Sequence, residues 1–136
     1  MGCKFCYLTV KKYPYRPLKY WEIFDNVCAA LREEFEYKPE LKNKYAKISW
    51  MGMGDPWLLE LEDFTTINEQ IVNYLLKNTR TGIDGIDIGT TFPTWNYGWP
   101  AALNRLESNL RSSVITNPLN RKRSLVRVFY SLHSPF

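Results

Sequence analysis

The chain is 136 residues long, the size of one domain, with 45% hydrophobic and 24% charged residues. That balance excludes a disordered or low-complexity chain, and no apolar run approaches the roughly 20 residues needed to span a bilayer. The net charge of +4 (18 basic, 14 acidic) permits a nucleic-acid partner without arguing for one, and three cysteines, an odd number, argue for a reducing, cytoplasmic setting over a disulfide framework.

Helical and strand-like segments alternate, with no internal repeat or linker. Tyr20, Phe24, Val27, Cys28, Leu31 and Phe35 recur at helical spacing and predict an amphipathic helix over about 18–37. Pro17 sits just ahead of it, where a proline costs little, and Pro39 just past its end. A lysine-rich loop leads to a short β-rich run from Ala46 to Met51, closed by Gly52-Met53-Gly54-Asp55-Pro56. Leu61, Phe64, Ile67, Ile71 and Leu75 mark a second amphipathic helix. Ile83 to Ile88 reads as the next strand, bounded by Gly82 and by Gly89-Thr90-Thr91. A shorter helix starts near Pro100 and carries Ala102, Leu103, Leu106 and Leu110. Ser112 to Arg123, polar and containing Pro118, reads as a loop, and Leu125 to Ser131 as the third strand. This order predicts an α/β fold of βα units around a parallel sheet. Right-handed crossovers then bring the carboxyl ends of all three strands to one face, where such folds place their chemistry.

Several residues near that face carry chemistry. Cys3 and Cys6 form a CxxC pair, able to grip a metal or cluster or to cycle as a dithiol. A zinc site would need two more ligands, and Cys28 and His133 are what remains; Cys28 lies on the apolar stripe of the first helix and reads as core. The glycines of the Met51–Pro56 turn allow close approach of a ligand to the backbone, and Asp55 offers a carboxylate to a cationic group or simply closes a solvated turn. His133, the one histidine, and Ser131 follow the third strand, where a purely structural hydrogen-bonding role is the commoner outcome. Lys11, Lys12, Tyr13, Tyr15 and Arg16 mix aromatic rings with positive charge, which suits RNA contacts as well as a solvated loop.

Taken in order, these stations resemble the radical S-adenosylmethionine (SAM) superfamily, and within it the adenosine methyltransferases of ribosomal RNA and tRNA. Gly2-Cys3-Lys4-Phe5-Cys6 resembles the second half of the CxxxCxxC cluster motif. Arg16-Pro17-Leu18, followed by Glu22-Ile23 and Val27, is similar to the entry of the family's first helix. Met51-Gly52-Met53-Gly54-Asp55-Pro56 resembles its Met-Gly-Met-Gly-Glu-Pro turn, and Ser131-Leu132-His133 with Pro135 its Ser-Leu-His-Ala-Pro strand end.

The resemblance implies a partial (β/α)6 barrel in which a [4Fe–4S] cluster reductively cleaves SAM to a 5′-deoxyadenosyl radical, leading to methylation of adenosine in RNA. Cys3 and Cys6 would be two of three cluster ligands, with Phe5 flanking the cluster. Gly54 and Asp55 would meet the amino group of SAM, Thr91 would serve the same contact, and Ser131, Leu132 and His133 would line its ribose or carboxylate side. Ribosomal or transfer RNA and an electron donor such as flavodoxin or ferredoxin are the implied partners, with no membrane. In the family pattern the first cluster cysteine falls two residues ahead of Met1, and the outer strands and the methyl-carrying cysteine fall outside the chain. Residues 1–136 therefore read as a fragment of the core domain, truncated at both ends and inactive alone. Tyr7-Leu8-Thr9 stands where the family has Ala-Thr-Gly, Asp55 where it has glutamate, and Arg111 to Arg123 is longer than its connection. The alternatives are a radical SAM enzyme for another substrate, or a small zinc- or RNA-binding module without catalysis.

Overall fold

Helices and strands alternate in the computed structural model, which describes residues 18–50, 55–80, 82–90, 97–113 and 123–130. The order is α1 (Tyr20–Tyr37), β1 (Ala46–Trp50), α2 (Leu61–Asn78), β2 (Ile83–Thr90), α3 (Gly98–Ser113) and β3 (Val126–Tyr130). Short 3-10 turns at Pro39–Asn43 and Pro56–Leu58 flank β1. The strands form one parallel sheet in the order β1-β2-β3. The mixed α/β order expected from the sequence is present, and no helix among the described residues is long and apolar enough to cross a membrane.

The helices form where apolar residues recur every three or four positions. On α2 that stripe is Phe64, Ile67, Ile71 and Leu75, and on α3 it is Leu106 and Leu110. Both stripes join Ile83, Ile86 and Ile88 of β2 in one core, which Phe35 of α1 completes. Cys28 is buried on α1, as its place on the apolar stripe implies.

Central strand β2 departs from simple alternation. Ala46 pairs with Ile83, but Lys47 pairs with Gly85, so Asp84 is an extra residue and the strand is bulged there. The bulge brings Ile83 into phase with Ile86 and Ile88, and all three side chains reach the helix-covered face. Gly85 makes this possible. Its φ is +149°, and a Cβ there would lie 2.7 Å from the backbone oxygen of Leu125. That oxygen accepts the Ile86 N–H at 2.7 Å, so the close approach is part of the ladder.

Element ends differ from the sequence reading for local reasons. β2 runs to Thr90 because Gly89 and Thr90 pair with Phe129 and Tyr130. α3 starts at Gly98, which puts Pro100 in the first turn, where its missing N–H has no helical partner to lose. It continues to Ser113, past the expected start of the loop. At the amino end of β3, both oxygens of Glu107 are engaged. Oε1 accepts from the Leu125 N–H at 2.9 Å and Oε2 from the Val126 N–H at 2.6 Å, while Arg111 holds the same carboxylate at 2.8 Å. This clamp ties the incoming strand to the helix before it.

Replacing Gly85 by alanine is expected to lower the unfolding free energy by about 2–3 kcal/mol, the scale of a strained backbone position. Urea denaturation checks it; an unchanged midpoint would mean that the bulge does not need a glycine.

Candidate functional site

Parallel pairing brings the ends of β1 and β2 to the same edge of the sheet, and Asp55 and Thr90 meet there. Asp55 Oδ1 accepts the backbone N–H of Trp57 at 3.0 Å and the hydroxyl of Thr90 at 2.7 Å. The first bond caps the Pro56–Leu58 turn, a local contact that aspartate makes readily two residues ahead. The second spans 35 residues and ties the loop after β1 to the end of β2. Thr90 is in phase with Ile86 and Ile88, so its hydroxyl reaches Asp55 from the helix-covered side.

Four aromatic rings brace this edge. Trp57 stacks on Trp99 at the start of α3, with ring centroids 4.1 Å apart and planes at 15°. Phe64 of α2 lies 4.8 Å from Trp99, and Trp50 of β1 lies 5.1 Å from Phe64. The Trp50 indole N–H donates to Asn68 Oδ1 at 2.9 Å, and Asn68 in turn donates from Nδ2 to the Phe64 carbonyl at 2.8 Å. Asn68 is fully buried, so these bonds satisfy an amide that would otherwise be costly to desolvate. The rings join β1, the turn, α2 and α3, and so limit how far Asp55 can move. A carboxylate held in one orientation by two donors suits recognition of an ammonium or another cationic group.

Among the residues singled out from the sequence for a ligand site, Asp55 is described. Cys3, Phe5, Cys6, Gly54, Thr91, Ser131, Leu132 and His133 lie outside the described residues, as do Lys11, Lys12, Tyr13, Tyr15 and Arg16. Among the described residues no three His, Cys, Asp or Glu side chains come together as a metal-binding group. The sequence places Gly89-Thr90-Thr91 behind the strand, and the family pattern selects Thr91 for a ligand contact, whereas the hydroxyl that meets Asp55 is that of Thr90. The available signal was Tyr130, whose apolar strand run is long enough to pair that far. Burial pushes the Cys28 thiol above its ordinary range, with Arg32 opposing and Asp25 adding to the shift. A buried thiol of this kind is a poor source of thiolate for a metal.

If the Asp55–Thr90 bond links the two strand ends, Asp55→Asn and Thr90→Val should be coupled by about 1–2 kcal/mol in a double-mutant cycle of unfolding free energies. Additive effects would mean that the contact contributes nothing. For Cys28, the unfolded thiol ionises near 9.0 while the folded thiol holds its proton to higher pH, so the unfolded state binds fewer protons and stability falls as pH rises above that value. Cys28→Ala is expected to reduce this alkaline loss, read from denaturation midpoints at pH 8 and pH 10.

Compared with protein-family models, curated proteins and solved structures, the chain finds no match in any of the three.

Proposed function

We propose that the chain is part of a radical SAM enzyme core, with adenosine in ribosomal or transfer RNA as the substrate of the whole protein. The observation that carries this reading is the placement of Asp55. It stands at the carboxyl edge of a parallel sheet, on the turn that resembles the family's, with its carboxylate held by the Trp57 N–H and the Thr90 hydroxyl. The βαβαβ order is what a partial (β/α)6 barrel is built from.

Each group would have a definite task. The Cys3 and Cys6 thiols, three positions apart, have the softness and spacing to bind iron in a cluster. Such a cluster would supply the electron for cleavage of SAM. Asp55 would receive the amino group of SAM, and Thr90 and the Trp57 N–H would keep its carboxylate aimed. Gly54 would leave room for the ligand beside the backbone. Phe5, Thr91, Ser131, Leu132 and His133 would surround the remainder of SAM in the family's pattern. The aromatic rings behind Asp55 would exclude water from that side. The basic and aromatic stretch from Lys11 to Arg16 would contact RNA, and a flavodoxin or ferredoxin would deliver the electron.

Anaerobic reconstitution of the whole protein, in which the resemblance expects a third cluster cysteine, tests this. Iron and sulfide should bind in comparable amounts, be lost in Cys3→Ala and persist in Cys28→Ala. SAM binding to the reconstituted protein should weaken about tenfold in Asp55→Asn, the scale of one charge-assisted hydrogen bond. Stoichiometric zinc that is lost in Cys28→Ala would favour the zinc module and overturn the proposal, as would the absence of any bound iron.

A further inference from the structure

Alternation along the strands puts a second set of side chains on the face of the sheet opposite the helices. Lys47 and Ser49 come from β1, Gly85, Asp87 and Gly89 from β2, and Arg127 and Phe129 from β3. Asp87 stands at the centre. Its Oδ1 accepts the Arg127 Nε–H at 2.8 Å and its Oδ2 accepts from Arg127 Nη2 at 3.0 Å, with Lys47 Nζ 3.5 Å from Oδ2. Asp87 is 7% exposed, whereas the Lys47 and Arg127 side chains are 39% and 34% exposed. Phe129, 47% exposed, lies with its ring centroid 5.9 Å from the Arg127 guanidinium carbon.

A buried carboxylate in a central strand is a poor choice for stability alone, because apolar residues of similar volume commonly serve as well or better. β2 turns Ile83, Ile86 and Ile88 toward the helices, so a charged centre on the other face calls for a different explanation. Two cations surround one carboxylate and leave a net positive charge. Asp87 fixes the guanidinium plane in advance, which lowers the entropic cost of engaging it. Gly89, next along this face from Asp87, leaves that part of β2 without a side chain and so allows close approach by a ligand. Phe129 adds an apolar ring beside the charge.

We propose that this face binds a small anionic ligand. Its carboxylate or phosphate group would meet Arg127 and Lys47, and a flat ring on the same ligand would lie against Phe129. This site is separate from the Asp55 edge and does not rest on the cofactor reading.

The test is a titration of the isotopically labelled full chain with inorganic phosphate, AMP and benzoate at constant ionic strength, following the Arg127 Nε–H and the Phe129 amide by NMR. Saturable shifts are expected with AMP, with benzoate or with both. Saturation by AMP and phosphate alone identifies a phosphate group, and saturation by benzoate alone identifies a carboxylate. Arg127→Gln should abolish saturation. Lys47→Gln, which removes the more exposed and longer ion pair and so leaves the fold in place, should weaken binding by about three- to tenfold. Phe129→Leu should weaken AMP or benzoate and leave inorganic phosphate unchanged. Shifts that stay linear with all three probes, or saturable shifts of equal midpoint in Lys47→Gln, would overturn the proposal and reduce the triad to a structural ion pair.

Discussion

The phasing of β2 governs which side chains meet the helices and which do not. Regular alternation through Asp84, with no bulge, would send Ile83 to one face and Ile86 and Ile88 to the other, because successive side chains alternate. With the bulge, three isoleucines enter one core, and alternation leaves Asp87 on the opposite face. The φ of Gly85 and the nearness of the Leu125 carbonyl make the insertion compatible with parallel pairing on both sides.

The carboxyl edge is organised by a different kind of interaction. Asp55 joins a local cap to a long-range bond with Thr90, so one carboxylate both shapes its own turn and locks that turn to the next strand. Stacked Trp57 and Trp99 extend the lock to α3, and the Trp50–Asn68 bond extends it to α2. Large stacked rings and the Trp50–Asn68 bond combine extensive apolar contact with directional restraint, which is suited to holding a ligand-binding group in place. The same physical logic applies to Glu107, whose carboxylate receives the first N–H groups of β3.

The two faces of the sheet accordingly differ in character. One is apolar and covered by helices, and its far edge carries a braced carboxylate. The other bears a cation pair organised around Asp87, with glycines beside it. The first arrangement is complementary to a positively charged group and the second to a negatively charged one, so one small sheet offers opposite recognition chemistries on its two sides.

Amphipathic periodicity made α1 and α2 legible without coordinates, since Phe24, Leu31, Phe64, Ile71 and their neighbours recur with the period of a helix whatever they pack against. The glycine-rich turn after β1 marked Asp55, because turn chemistry is local. Cys28 was legible as core from its stripe. The partners of these residues were not legible. Thr90 lies 35 positions from Asp55 and Arg127 lies 40 from Asp87, and no local pattern encodes such pairs. The bulge was equally hidden, because Ile-Asp-Gly-Ile-Asp-Ile permits either phase until Leu125 arrives beside Gly85. The sequence by itself determined which segments become helix or strand, through the spacing of their apolar residues. Only the tertiary structure decided strand register, the face on which each charge stands and the donors that hold Asp55, because those depend on contacts between segments far apart in the chain.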